Sequence, residues 1–239
     1  MPKLSIVMPA FNEESAIESM VRSCEEYLGT RGHDGEVIVV DDGSTDGTAA
    51  ILRSLAAELP AVKVVRNSPN RGYGFSLQRA LAAATGDLVA TIDSDGQFSI
   101  DDLDALFPLL REDVQAVTGY RIRKRDSMLK VCGDRVLNRI IRLMFGMRLR
   151  DTNCALKLYR RSAIEEILIE ANGFPAPTEL LVKLQARGCC IEEAPVSHYP
   201  RGGGASSLAP VTTGCRMLAF LMYLRMKLAL YRRRIIREL

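Results

Sequence analysis

The chain has 239 residues, of which 47% are hydrophobic and 26% charged, with a net charge of +3. This composition indicates one globular domain of ordinary to large size and excludes disordered and fibrous classes. The net charge is too small to indicate a nucleic-acid-binding protein by itself.

Three features of the sequence indicate the cellular compartment of the protein. The longest apolar run, 217–224, has eight residues, whereas a membrane-spanning helix needs about 20. Met1-Pro2-Lys3 leads directly into strand-like sequence, so no signal peptide is expected. The six cysteines form no CxxC pair and no regular framework, which is typical of reduced thiols. Together these features predict a cytoplasmic protein without a transmembrane segment.

The positive charge is concentrated in two segments. Residues 121–150 contain ten Lys and Arg against two Asp, and residues 214–239 contain seven against one Glu. The rest of the chain therefore carries a net charge of −11. An acidic body with two basic segments indicates a surface that meets anions.

Strand-like and helix-like stretches alternate through the first half of the chain. Short apolar runs predict strands over 4–8, 36–40, 62–66, 88–92 and 114–118. Helices are predicted from Asn12 or Ser15 to about 28, and over 46–58, 74–84 and 101–110. The alternation predicts an α/β fold with a mostly parallel sheet flanked by helices.

The alternation stops after residue 120. Helices are predicted over 136–147, 178–187 and 213–237, with a strand over 191–196. In 136–147 one face would carry Val136, Leu137, Ile140, Ile141 and Met144, and the other Arg135, Arg139 and Arg142. The last helix would place Met217, Leu221, Leu224, Leu228, Tyr231 and Ile235 on one stripe. Both helices could lie on an anionic membrane or pack on the sheet, and the last stripe could also be a dimer seam.

Three predicted strands end in polar or backbone-exposing sequence at 9–13, 41–44 and 93–97. Ligands of open parallel sheets bind at the carboxyl ends of strands, so these segments should meet at one edge. Asp93 and Asp95 point the same way in an extended segment and would repel each other unless a cation lies between them. Oxygen ligands suit Mg²⁺ or Mn²⁺, with Gln97 as a third donor, although the aspartates could instead cap the next helix.

Two further segments are candidate ligand contacts. Asp41 and Asp42 could accept hydrogen bonds from a nucleobase or ribose, or they could serve ordinary turn chemistry. Arg71 could meet a phosphate beside Gly72, where a glycine lets the backbone approach a ligand. A simple loop with a solvated arginine is the alternative.

The stretches SIVMPAFNEE (5–14), VIVVDDGSTDGT (37–48), NRGYG (70–74) and ATIDSDGQ (90–97) together resemble the inverting family 2 glycosyltransferases with the GT-A, Rossmann-like fold. The resemblance implies a nucleoside-diphosphate sugar donor whose diphosphate is held through a metal on the Asp-x-Asp motif. The donor contacts implied are Pro9, Phe11, Glu13, Asp41, Asp42, Arg71, Gly72, Asp93, Ser94 and Ser206, with Asp93, Asp95 and Gln97 at the metal.

The second half resembles the dolichyl- or polyprenyl-phosphate sugar synthases of that family. The similar segments are 119–121, Arg135, 151–157 and 201–207, where Asn153-Cys154-Ala155 and Ser207 depart from the usual residues. The resemblance implies Asp95, Arg121, Arg135 and Arg201 as catalytic residues. Asp151, Glu179 and Arg139 are acceptor-side candidates.

The predicted reaction moves a sugar from a GDP- or UDP-linked donor to a lipid phosphate, with inversion. A phosphate acceptor is already anionic and needs positioning by Arg121 and Arg135 rather than a base. A hydroxyl acceptor would need a base, for which Glu179 or Asp151 are candidates, although Glu179 could equally be a first-turn helix residue. The alternatives are a soluble family 2 enzyme acting on a hydroxyl, a non-catalytic nucleotide-binding scaffold, and a haloacid-dehalogenase-type phosphatase.

The resemblance also predicts the domain organisation. A GT-A domain would cover 1–210, with a nucleotide-sugar half over 1–120 and an acceptor half over 121–210. A basic amphipathic helix would follow over 211–239. The expected setting is the cytoplasmic face of a membrane, with a membrane surface or membrane protein as partner, a possible homodimer and no nucleic acid.

Overall fold

A computed structural model describes residues 2–122, 128–201, 210–236 and 239. Its single sheet has the strand order β3-β2-β1-β4-β6-β5-β7. All neighbouring strands are parallel except for β6, which is antiparallel to β4 and β5. The strands are β1 (Leu4–Ala10), β2 (Gly35–Asp41), β3 (Val62–Arg66), β4 (Leu88–Thr91), β5 (Ala116–Arg121), β6 (Lys157–Arg160) and β7 (Ile191–Val196).

Helices cover both faces of the sheet, as alternate strand residues require. Ile6 and Met8 of β1 point into one core and Val7 into the other. The helices are α1 (Ile17–Arg31), α2 (Thr48–Glu58), α3 (Tyr73–Ala83), α4 (Leu103–Leu106), α5 (Met128–Phe145), α6 (Arg161–Ile164), α7 (Ala176–Ala186) and α8 (Pro210–Arg232). Residues of α1, α2 and α4 pack in the first core, and residues of α3, α5, α7 and α8 in the second.

The structure confirms the predicted α/β fold and corrects three details. Strand β6 was not predicted, because KLYR is short and half basic. The predicted helix over 101–110 is a single α-helical turn between two 3₁₀ turns, Ile100–Asp102 and Phe107–Leu109. In α5, Val136 is 60% exposed rather than buried. The side of the helix that carries Asn138 faces inward instead. Asn138 is buried, and its Oδ1 accepts hydrogen bonds from the N–H and hydroxyl of Thr152.

The last helix packs on the body of the protein. Met217, Leu221, Leu224 and Leu228 of the predicted stripe are buried in the second core, whereas Ile235 lies beyond the helix and is exposed. Core packing therefore accounts for this stripe. The other side of α8 exposes Leu218, Met222 and Met226. Among the described residues, no helix has the length and apolar character needed to cross a bilayer.

Candidate active site

The carboxyl ends of β1, β2 and β4 meet at one edge of the sheet, as predicted. Ser94 follows β4, and its hydroxyl donates a hydrogen bond to the carbonyl of Pro9 in β1 at 2.9 Å. Thr45 N–H donates to Asn12 Oδ1 at 2.8 Å, which joins the segments that follow β1 and β2. The segment with Asp93 and Asp95 is therefore fixed against the first strand, and Ser94 serves this internal bond.

Asp93 and Asp95 form the acidic centre of this edge. Asp93 Oδ1 accepts a hydrogen bond from the Tyr73 hydroxyl at 3.0 Å. Burial, together with the nearby charge of Asp95, raises the pKa of Asp93 to about 7. Asp95 Oδ1 accepts from the Gln97 backbone N–H at 3.0 Å. Two carboxylates that disfavour each other's charge are a chemically suitable site for a divalent cation.

The residues present fit such a cation only if the donor supplies further oxygens. In the part of the chain that the structure describes, no three His, Cys, Asp or Glu side chains surround a common metal position. Mg²⁺ is commonly bound by one or two carboxylates plus substrate phosphates. The Gln97 side chain points its amide nitrogen at the Tyr199 carbonyl, at 3.3 Å. Asp93 and Asp95 are thus the principal protein ligands available.

Arg201 reaches this centre from the second half of the chain. Its guanidinium contacts the Glu13 carboxylate closely, and its Nη1 lies 3.7 Å from Asp95 Oδ2. Burial raises the pKa of Glu13, while Arg201 acts in the opposite direction. The structure therefore brings together Glu13, Asp95 and Arg201, three of the predicted site residues. Phe11 lies half-exposed next to this edge. Ser206 lies outside the described residues.

Asp42 is committed to holding a neighbouring loop. Its carboxylate accepts hydrogen bonds from the Asn67 side chain at 2.7 Å and from the N–H groups of Arg71 and Gly72 at 2.9 and 2.8 Å. These bonds support the turn-chemistry alternative for Asp42. Asp41 accepts from the Ser44 N–H at 2.9 Å and lies 3.2 Å from Arg66 Nε. Contact of either carboxylate with a nucleotide stays a prediction.

The close approach at Gly72 is internal to the protein. Gly72 has φ +90°, and a Cβ there would lie 2.3 Å from the Asn172 carbonyl oxygen. At Gly74, a Cβ would lie 1.6 Å from the Ala171 carbonyl oxygen. Both glycines therefore serve a contact with the 171–172 segment. The guanidinium of Arg71 stacks on Phe75 at 4.4 Å and is exposed, so it stays available to a phosphate.

Of the acceptor-side candidates, Asp151 alone lines a basic cavity of about 520 Å³ at the end of β5, together with the predicted catalytic residues Arg121 and Arg135. Arg121 Nε and Nη2 donate to the two oxygens of Asp151 at 2.7 and 2.9 Å, and Nη2 also donates to Asp134 at 2.9 Å. Burial opposes the charge of Arg121, but these carboxylates hold its pKa above the ordinary value. The lining includes Arg121, Arg135, Asn138, Arg142, Arg150 and Asp151, but not Arg139.

The structure does not bring Glu179 to this cavity. Its carboxylate is fully buried, lies 2.7 Å from Lys183 Nζ and accepts hydrogen bonds from the N–H groups of Glu170 and Ala171. The alternative, a residue in the first turn of a helix, therefore fits Glu179. Asp151 is held by Arg121. Glu179 is therefore not placed to act as a base, whereas Asp151 lines the cavity and its role as a base stays a prediction.

Two residues near Asp93 were not singled out from the sequence. Tyr73 stood within the NRGYG stretch, and Lys157 within the 151–157 segment. Lys157 is fully buried and donates to the Cys154 carbonyl. Burial lowers the pKa of Lys157, against the charges of nearby groups that include Asp151 and Asp93. A lysine inside the apolar run ALKLY was the available signal, since a buried lysine needs a partner.

Comparison with known proteins identifies the family. The family model "Glycosyl transferase family 2" matches residues 5–168. An undecaprenyl-phosphate 4-deoxy-4-formamido-L-arabinose transferase of Klebsiella pneumoniae is 30% identical over 206 residues, which cover 85% of this chain and 62% of that protein. A dodecaprenyl-phosphate galacturonate synthase of Rhizobium johnstonii is 31% identical, covering 85% and 61%. The chain thus spans about 62% of the length of the first of these relatives.

Solved structures agree with the fold. Glucosyl-3-phosphoglycerate synthase of Mycobacterium tuberculosis in complex with UDP has a TM-score of 0.71 and 25% identity, covering 94% of this chain and 80% of that one. A structure of the same enzyme with Mn²⁺ and UDP-glucose has a TM-score of 0.69 and 26% identity, covering 94% and 79%. On the family match, this chain belongs to glycosyl transferase family 2.

Proposed function

We propose that this family 2 glycosyltransferase moves a sugar from a nucleoside-diphosphate sugar to a polyprenyl phosphate at a membrane surface, with inversion at the anomeric carbon. One observation carries the proposal. The acidic centre at Asp93 and Asp95 and the arginine-lined cavity beside Arg121 lie on the same edge of one sheet. A donor diphosphate and an anionic acceptor would thus have separate, chemically distinct places.

The donor is assigned to the acidic centre. Asp93 and Asp95 would hold a divalent cation, which supplies electrostatic neutralisation of the leaving diphosphate. Arg201 already lies against Asp95 and Glu13, so it is placed to exchange these carboxylates for phosphate oxygens. The names of the Mycobacterium tuberculosis structures, with Mn²⁺ and UDP-glucose, support this type of donor site at the level of the family.

The acceptor is assigned to the basic cavity. A lipid phosphate oxygen would attack the anomeric carbon opposite the diphosphate, forming one C–O bond as the bond to the leaving nucleoside diphosphate breaks. The phosphate is anionic near pH 7 and needs no general base. This agrees with ion pairs that occupy both Asp151 and Glu179. The names of the Klebsiella and Rhizobium relatives, which act on undecaprenyl and dodecaprenyl phosphate, support the same acceptor class.

Two exposed helix faces support a membrane setting. Helix α5 exposes Val136 and Leu143 together with Arg135 and Arg139. Helix α8, which packs beside it, exposes the Leu218–Met222–Met226 side described above. Exposed apolar side chains among arginines suit the headgroup region of an anionic membrane.

The test begins with calorimetric binding of GDP, UDP and their sugars, with and without Mn²⁺, to wild type and Asp95→Ala. We expect Mn²⁺-dependent binding of one nucleotide and its loss in Asp95→Ala. Sugar transfer should fall by about 10³-fold, since metal stabilisation of the leaving charge contributes several kcal/mol. Asp101→Ala is the matched control, because Asp101 is exposed outside the site.

The acceptor arm compares polyprenyl phosphate with the corresponding polyprenol in phosphatidylglycerol vesicles. Transfer to the phosphate alone supports the proposal. Transfer to the alcohol alone would overturn the acceptor assignment in favour of a hydroxyl acceptor. Absence of nucleotide binding would overturn the donor assignment, whereas nucleotide binding without any sugar transfer would favour a non-catalytic scaffold.

A further inference from the structure

We infer that Tyr73 is a positioning residue for Asp93: its hydroxyl fixes the carboxylate, and a segment of the acceptor half holds Tyr73 in place. The inference rests on the proposed function, in which Asp93 binds the cation of the donor. It adds a role for a residue that does not itself reach the donor.

The hydrogen bond from Tyr73 engages one oxygen of Asp93. The Tyr73 hydroxyl lies 3.0 Å from Oδ1. A bond from a phenol to a carboxylate is charge-assisted and restricts rotation of the acceptor. Without it, repulsion from Asp95 would favour rotation of Asp93 away from its partner. With Oδ1 held by Tyr73, the second oxygen, Oδ2, would be the one that could bind a cation together with Asp95.

Tyr73 is held by its backbone and by its ring. It is the first residue of α3 and lies between Gly72 and Gly74. The Gly74 N–H donates to the Asn172 carbonyl at 3.2 Å, and a Cβ on Gly74 would lie 1.6 Å from the adjacent Ala171 carbonyl oxygen. The Tyr73 ring stacks on Phe174, with centroids 6.1 Å apart and planes 4° from parallel. Residues 171–174 thus fix both the backbone and the ring of Tyr73.

That segment is in turn anchored in the acceptor half. The buried Glu179 carboxylate binds the N–H groups of Glu170 and Ala171. The Glu170 carboxylate accepts a hydrogen bond from the Tyr223 hydroxyl at 3.0 Å and contacts Lys227, both on α8. A continuous set of contacts therefore runs from α8 to the acidic centre. These contacts fix the position of Tyr73 relative to Asp93.

The experiment measures Mn²⁺ affinity by calorimetry in wild type and Tyr73→Phe, with saturating UDP or GDP, whichever the wild type binds. The phenylalanine keeps the ring stack and removes only the hydroxyl. Loss of a group that orients a metal ligand weakens metal binding by about 10- to 100-fold, which is the expected change. The nucleotide affinity at saturating Mn²⁺ should stay the same. Excess Mn²⁺ should restore much of kcat, so that the Mn²⁺ requirement changes more than the maximal rate.

Tyr27→Phe is the matched control. The Tyr27 hydroxyl donates to Asp104 at 2.8 Å, so the variant loses the same kind of bond away from the site. We expect its Mn²⁺ affinity to equal that of wild type. Unchanged Mn²⁺ affinity in Tyr73→Phe would overturn the inference alone. A parallel loss of nucleotide affinity at saturating Mn²⁺ would also overturn it, since it indicates general disruption of the site. A wild type without Mn²⁺ binding would overturn the proposed metal site as well.

Discussion

The two halves of the sheet edge handle charge in opposite ways. In residues 1–120, Glu13, Asp93 and Asp95 lie near one another, and Arg201 from the other half contacts Glu13 and Asp95. In residues 121–201, two buried carboxylates pair with cations of the same half, Asp151 with Arg121 and Glu179 with Lys183. Under the proposed assignment, the first half would therefore take up a cation, whereas the second would offer its remaining arginines to an anion.

The largest effect on stability is expected at the buried pair of the second half. Lys183→Met leaves the fully buried Glu179 without its cation. Removing one partner of a buried ion pair costs about 3–5 kcal/mol. Urea unfolding at pH 7 should show that loss, and the double variant Glu179→Gln/Lys183→Met should recover part of it. A loss of unfolding free energy below about 1 kcal/mol is typical of exposed ion pairs. It would contradict the view that Glu179 depends on Lys183 for its charge compensation.

A smaller, pH-dependent effect is expected in the first half at the opposite end of the strands. Burial raises the pKa of Glu36, but hydrogen bonds from Lys63, Thr85 and Ser5 outweigh it and bring the pKa to about 2. Because the folded pKa lies below the ordinary 4.5, the stabilisation is complete above pH 4.5 and is lost as the pH falls toward 2.

Glu36→Gln should therefore lower the free energy of unfolding at pH 7 by about 2 kcal/mol. The difference from wild type should shrink steadily below pH 4.5. Thermal or urea unfolding across pH 2–7 measures it, with the exposed Glu26→Gln as control. A difference that is independent of pH would show that Glu36 acts through packing rather than charge.

The smallest effect sharpens the assignment of the two substrates. Arg135 is exposed at the basic cavity. Arg135→Ala should raise the KM for the lipid phosphate about tenfold, since a hydrogen bond to a charged group contributes about 1.5 kcal/mol. The KM for the sugar nucleotide should not change. Arg148→Ala, an exposed arginine outside the cavity lining, is the control. A change in the donor KM instead would show that the halves do not divide the substrates.

The same contrast explains how far the sequence could predict the molecule. In the first half, each apolar run is a strand, and the polar endings of β1, β2 and β4 lie at one edge because parallel strands all end on the same side of the sheet. The edge containing Asp93, Asp95 and the 9–13 segment was therefore predictable. In the second half, β6 depends on pairing with β4 and β5, which lie far away in the chain. The internal partners of Gly72, Gly74 and Glu179 likewise come from tertiary contacts that no local pattern shows.

The position of β6 also has a consequence for how the chain is made. Strand β4 gains its outer neighbour only when residues 157–160 are available. During synthesis from the amino terminus, the β3-β2-β1-β4 portion would present an open strand edge for roughly the time needed to add some 66 residues. The unpaired N–H and C=O groups of such an edge can form hydrogen bonds with a strand of another chain. A fragment that stops before residue 157 should consequently aggregate, even though it contains the whole acidic centre.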